Sequence, residues 1–458
     1  MSATSEAPKN RKRSALTIVL AVVSIALVVL ATLFATGFLR QGSSSTPISG
    51  PVNVQIDHYP AGSNYSGQYG DEPYVTVAPN GTIYVVWIGY DLIAPPSPNQ
   101  SYPTFATAIW IASSSDGGRS YSTPDQVSPP AELFAFDPSV AVLPDGAIAV
   151  AWGNNSAPSG LDSIVVATLA PGAKDFTDHV PIGQTFGLDR PWISSSPNGT
   201  LFLAYALYLG ASGYFVAVYW TESEDSGATF SYPQLLMPGW PAAVVPGPSG
   251  TFWVSALDPF ATQGADGWTS SHVDVGTVDL TNGTSSLSLM VNITQPYPLD
   301  FTLTKEWHPG PSLAVMGSRV VVAYATENAT ELVWNESADG GGTWSPGTIL
   351  EGEGGASFRM PWVFPLGNDF ALSWESNSTG YWNTYSAVFD PNGTPVGPVV
   401  MVSSQNGYPG TVLNWHGDFI GAAAIGSTQY VVLWGDGRGL TNIYGLGHIY
   451  GAVVNATG

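Results

Sequence analysis

Seven times along the chain the same unit returns, at a period of roughly 50 to 70 residues. It is a proline, an alternating apolar run, a tight turn, and a second alternating run that usually ends in an aromatic. The copies occupy residues 73–87, 138–152, 191–205, 241–256, 311–324, 361–374 and 418–434, the last opening on Asp418 in place of proline. Alternation with period two marks a strand with one buried face, and Pro-Asn-Gly or Pro-Asp-Gly between two such runs supplies the positive φ of a tight hairpin. Each hairpin is followed by a further strand pair, as at 107–112 and 163–169. Four-stranded units of this kind cannot cover their own faces, but stacked radially they cover one another. The repeat therefore predicts an all-β fold, a β-propeller of seven four-stranded blades, with six as the alternative count. The seventh copy runs out of chain after its third strand, so residues 52–57 are expected to supply its outer strand and remove an exposed edge.

Composition agrees with strands joined by tight turns: 44% of residues are apolar, only 10% are charged, and 52 are glycine. There is no cysteine, which excludes disulfides and thiolate metal sites together. The five basic residues Lys9, Arg11, Lys12, Arg13 and Arg40 flank one uncharged N-terminal stretch, whereas the remainder is strongly acidic. Such a surface repels phosphate backbones, so no nucleic acid partner is expected.

From Ser14 to Leu39 no side chain is charged, and the run from Leu16 to Phe34 is long enough to cross the hydrocarbon core of a bilayer as a helix. Its apolar core exceeds that of a cleaved signal peptide. The basic cluster before it keeps the N-terminus in the cytoplasm by the positive-inside rule. The expected organisation is a cytoplasmic tail (1–13), a single transmembrane helix (14–39), a Ser/Gly/Pro linker (40–50) and an extracellular propeller (51–458). Asn-x-Ser/Thr sequons, among them Asn64, Asn99, Asn154, Asn292, Asn328 and Asn377, would accept glycans in a host that glycosylates its surface proteins. Others, such as Asn80, Asn198 and Asn392, belong to turns the hairpins need in any case.

Three outer hairpins carry Ser-x-Asp-x-Gly-x-Ser/Thr-aromatic: Ser114, Asp116, Gly118 and Tyr121; Ser223, Asp225, Gly227 and Phe230; Ser337, Asp339, Gly341 and Trp344. A short carboxylate can accept N–H bonds within such a turn, glycine permits the left-handed kink, and the aromatic packs inward. These are Asp boxes, and with the hairpin repeat they make residues 51–458 similar to the sialidase-like (BNR-repeat) propeller superfamily. In that family the boxes lie on the face away from the active site, so they imply structure and not catalysis. Residues 417–444 also resemble the last repeat of many secreted BNR proteins of unassigned function.

Ionisable residues gather just before the inner strands, where they would ring the mouth of a central channel: Asp71, Glu72, Asp137, Asp189, Arg190, Glu306, His308, Arg359, His416 and Asp418. They either form a polar funnel or cap inter-blade turns. The resemblance implies a grip on a substrate carboxylate by three arginines, whose planar guanidinium donates paired hydrogen bonds. Arg119 and Arg319 sit in structural positions, leaving Arg190, Arg359 and Arg438 as that cluster. The segment Phe358-Arg359-Met360-Pro361 looks like the family's FRIP motif, although it precedes the sixth apparent unit and not the first. By the same resemblance Tyr408 and Glu306 would form the nucleophile pair, with Asp71 or Asp137 as acid and base. Tyr90, Tyr208, Trp268, Tyr381 and Trp382, expected in loops around the mouth, could stack on sugar faces. The six histidines show no metal-ligand spacing, and neither metal nor cofactor is expected. Two functions remain open: a surface propeller recognising carbohydrate or a cell-envelope partner without chemistry, and a sialidase-like exoglycosidase cleaving terminal acidic sugars.

Overall fold

The computed structural model describes residues 50–458 except 63–68, 95–103, 131–133, 156–160, 210–214, 265–266, 294–309, 327–328, 353–355, 409–418, 439–446 and 457–458. The expected tail, membrane span and most of the linker (1–49) therefore lie outside the described residues. Among those described, no helix is long and apolar enough to cross a membrane.

Seven four-stranded antiparallel sheets follow one another along the chain. Their innermost strands are Tyr69–Val77, Ala135–Val142, Leu188–Ser195, Trp240–Pro246, Ser312–Met316, Phe358–Leu366 and Gly421–Ala424, opening blades 1 to 7 in turn. Each inner strand packs against that of the next blade, and that of blade 7 returns against blade 1, which closes the ring. The first six sheets run in sequence order from the inside outward. In the seventh the outermost strand is Asn53–Gln55 from the chain's start, paired antiparallel with His448–Asn455 from its end. The closure expected from residues 52–57 is thus formed by Asn53–Gln55, which covers the outer edge of His448–Asn455.

Local chemistry explains the strands. In the first hairpin Gly81 takes φ 84° and its N–H bonds to Ala78 O at 2.8 Å, the tight reversal that only glycine adopts without cost. Trp87 in the second strand of blade 1, and Trp152, Trp374 and Trp434 two residues before the ends of theirs, are fully buried between blades. Phe202 of blade 3 stacks on Phe252 of blade 4 with centroids 4.6 Å apart. Polar stitches supplement the packing. Ser139 donates to Pro191 O (2.8 Å) and accepts from Ile193 N–H (3.0 Å) in the next blade, and Ser312 accepts from Val363 N–H (2.9 Å).

The three Ser-x-Asp-x-Gly segments close identically. Asp225 accepts from the Ser223 hydroxyl (2.8 Å), Thr229 N–H (2.8 Å) and the Thr229 hydroxyl (2.6 Å), while Ser223 accepts from Gly227 N–H (2.8 Å). Asp116 and Asp339 repeat the pattern. These donors stabilise the ionised form and hold Asp225 and Asp339 down at about 2. Each turn also abuts the preceding blade: a Cβ on Gly341 would come within 2.5 Å of the Trp253 ring, and one on Gly227 within 2.8 Å of Thr168. The turns follow third strands, which run parallel to the inner ones, so they sit at the end of the ring opposite to where inner strands begin.

Candidate functional site

The inner strands begin at one end of the ring, and there the channel is closed by aromatics. Tyr74, Trp192, Trp362 and Phe419, from blades 1, 3, 6 and 7, pack in tilted and edge-to-face contacts with centroid separations of 5.1 to 5.6 Å. Two indole N–H groups tie the plug to neighbouring inner strands, Trp192 to Pro241 O and Trp362 to Ala422 O, both at 2.9 Å. These four rings form an apolar floor at this end of the ring.

Its rim comes from a repeated irregularity. Inner strands of blades 1, 2, 3 and 6 carry a bulge immediately before the motif proline, between Asp71 and Tyr74, Phe136 and Ser139, Asp189 and Trp192, and Arg359 and Trp362. The residue preceding proline is there left-handed: Glu72 φ 53°, Asp137 φ 49°, Arg190 φ 50°, Met360 φ 51°. Left-handed backbone at non-glycine residues is strained, and such strain concentrates where side chains must be aimed. The ionisable residues thus lie inside the inner strands, at the bulges, and not ahead of them as the sequence led us to expect.

Two groups result. Across blades 1 to 3, buried Asp137 lies beside buried Glu72, with Asp189 and Arg190 nearby. Burial first, then the charges of Glu72 and Asp189, push Asp137 well above the ordinary carboxylate range, while Arg190 partly offsets them. The Arg190 N–H donates to Asp189 (3.1 Å) and Asp137 (3.2 Å). Tyr208 donates to Asp189 at 3.1 Å and accepts from the Trp240 indole at 3.0 Å.

Across blades 6, 7 and 1, Arg359 is only 6% exposed and pairs with Glu375, its Nε 2.8 Å and Nη2 2.7 Å from the same carboxylate oxygen. Its guanidinium lies 3.6 Å over the Trp382 ring. Asp71 and buried Tyr408 share this neighbourhood: burial and then the charges of Asp71, Asp436 and Glu375 push the Tyr408 phenol well up, opposed by Arg359. Asp436 accepts from the Trp434 indole at 2.7 Å and forms an ion pair with Arg438. Arg438 also donates to Asn53 at 2.9 Å and lies 4.1 Å over Tyr450.

The fold thus brings Arg359, Asp71 and Tyr408 into one cluster. Arg438 stands beside Asp436 at its edge, and Asp137 and Arg190 form the second group. Glu306, like His308, His416 and Asp418, lies outside the described residues. Tyr90, Tyr208 and Trp268 are on strands and not in loops, because second and third strands continue well past the hairpin, as Ile83–Ala94 does against Thr104–Ser114. Trp382 is buried beneath Arg359, and Tyr381 beside it is exposed. Glu375 and Asp436 escape sequence reasoning, yet each lies at the end of a second strand within two residues of a buried tryptophan, and Glu375 pairs in register with Arg359 at the bulge. Asp258, His272 and Asp274 also converge in blade 4, where linear spacing had given no ligand set.

No protein-family model matches the sequence, and no curated protein matches it. Solved structures share its fold. An ulvan lyase representing a new polysaccharide lyase family, bound to -[GlcA(1-4)Rha3S]-, aligns with a TM-score of 0.52 at 13% identity, over 88% of this chain and 96% of that one. A protein of unknown function from Dyadobacter fermentans aligns at 0.49 and 14% identity, over 88% and 97% of the two chains. The NanB sialidase of Streptococcus pneumoniae aligns at 0.48 and 10% identity, over 91% and 72%. At such identities the likeness is one of architecture: the chain is similar to these proteins in being an all-β propeller, here of seven four-stranded blades.

Proposed function

We propose that the funnel recognises carbohydrate without cleaving it, with uncharged sugars as its ligand class, on a propeller held outside the cell by an N-terminal membrane anchor. The observation that carries this reading is the commitment of the rim arginines. Arg359 is neutralised by Glu375 and Arg438 by Asp436, while Asp137 and Asp189 flank Arg190. Carboxylates therefore dominate the rim, and carboxylates accept hydrogen bonds from sugar hydroxyls but repel acidic sugars. Exposed Tyr381 offers an aromatic face beside them. The same architecture in a polysaccharide lyase bound to a saccharide agrees with a sugar ligand. The uncharged run at 14–39, with basic residues before it, supports the anchor.

A second reading, a sialidase-like exoglycosidase, is favoured by one observation: Arg359, Asp71, Tyr408 and Glu375 share a cluster. Against it, burial and then the charges of Asp71, Asp436 and Glu375 push the Tyr408 phenol well up, the opposite of what a tyrosine nucleophile needs. The test is an array of neutral and acidic glycans probed with the full-length chain, alongside hydrolysis of fluorogenic sialosides. We expect binding to a neutral oligosaccharide, weakened at least tenfold by Tyr381→Ala and by Asp71→Asn, and no turnover. Sialoside hydrolysis that disappears in Arg359→Ala would replace this reading with the enzymatic one.

A further inference from the structure

Blade 4 holds a second, independent constellation. Its second strand, Thr251–Gly264, carries Asp258 directly opposite His272 of the third strand, Gly267–Asp279. Asp274 lies two residues beyond His272, so all three side chains leave the sheet on one face. One ligand atom from each lies within 4.8 Å of the others. Asp258 and Asp274 are buried, Asp274 to 3% exposure, and His272 is half-buried. The Asp274 Oδ1 is sealed from solvent and has no hydrogen-bond partner. A buried carboxylate oxygen without a donor, facing a second buried carboxylate, is costly unless a cation completes it.

We propose that Asp258, His272 and Asp274 bind one divalent transition-metal ion. Two carboxylates balance a charge of +2. The imidazole nitrogen turns selectivity away from Ca2+ and Mg2+, which favour all-oxygen shells, and toward ions such as Zn2+. Three protein ligands leave at least one coordination position for water. The ion pins the second and third strands of blade 4 at the end where the second strand passes the inner strand, beyond the pairing of Leu257 with Trp240. This proposal does not depend on the sugar reading.

Zn2+ is the probe for the test, with Ca2+ as contrast. The full-length chain, stripped with chelator, is titrated by calorimetry and followed by thermal melting. We expect one saturable equivalent of Zn2+ at micromolar affinity or tighter, a higher Tm on binding, and at least tenfold weaker response to Ca2+. Asp274→Asn and His272→Ala should abolish that equivalent and the Tm rise, and Asp274→Asn should melt in chelator no lower than the parent, since it removes an uncompensated carboxylate. Co2+ substitution of the unmutated chain supplies a readout independent of the variants, through visible bands of a four- or five-coordinate site. Absence of both a stoichiometric equivalent and those bands overturns the proposal. So does undiminished binding in a variant that melts like the parent in chelator.

Discussion

At the scale of single residues, the decisive question is what a charge does once the fold has removed its water. Arg359 is buried with Glu375 as its ion-pair partner. Removing one member of such a pair strands the other, which costs about 3 to 5 kcal/mol. Glu375→Ala should therefore destabilise by that order in urea denaturation, and adding Arg359→Met should return much of the loss, because the stranded charge goes with it. A coupling below about 0.5 kcal/mol in that double-mutant cycle would mean the pair is not desolvated as described. Asp137 makes the complementary case. Its folded pKa is raised above the ordinary 3.8, so its contribution is fully present below pH 3.8 and lost as pH rises through the folded value. Asp137→Asn, which mimics the protonated acid, should lose less stability than the parent between pH 4 and 8. Parallel pH profiles for the two proteins would refute the upward shift that burial and the Glu72 charge impose on Asp137.

At the scale of elements, what was legible in the sequence is what is local. The hairpins announce themselves because turn chemistry and alternation are written within some fifteen residues of one another. The seam could be foreseen because the last repeat lacked a strand and residues 52–57 lacked a sheet. Glu375 was not legible, since it reaches Arg359 only through antiparallel register across a hairpin. Asp258 and Asp274 were not legible either, because sixteen positions separate residues that the sheet sets on one face. The bulges were hidden for another reason: a proline after a charged residue does not reveal that the charged residue turns left-handed. The seam itself carries a titratable latch. His448 of the last strand bonds Asp57, which follows the first, at 2.9 Å. Burial alone would lower the His448 pKa, but the Asp57 hydrogen bond and the charges of Asp57 and Asp436 raise it above 6.5. Its stabilisation is therefore complete below pH 6.5 and lost as pH rises through the folded value. Melting followed from pH 6 to 9 should show this loss, and Asp57→Asn should flatten it. A parent curve level across that window would show that the latch does not bear on closure.

At the scale of the whole molecule, the ring sets its charge against its ligand. The chain carries a net charge of −22, and the acids lie almost entirely beyond residue 40, where the basic residues are few. At the mouth Arg359 and Arg438 are already paired, so the field there follows the excess of carboxylates, and salt is the variable that reveals it. The Debye length falls from about 30 Å at 0.01 M to about 3 Å at 1 M salt. An uncharged glycan has no net charge for this field to act upon, so its Kd should change less than about twofold over that range. An acidic glycan approaching the same rim is repelled at low salt and should bind more tightly as salt rises. The opposite slope, in which acidic glycans bind tightly at low salt and are released by salt, requires an unneutralised cationic cluster at the rim. It would show that Arg359 and Arg438 abandon their carboxylates when a ligand arrives, and would return the funnel to the chemistry of acidic sugars.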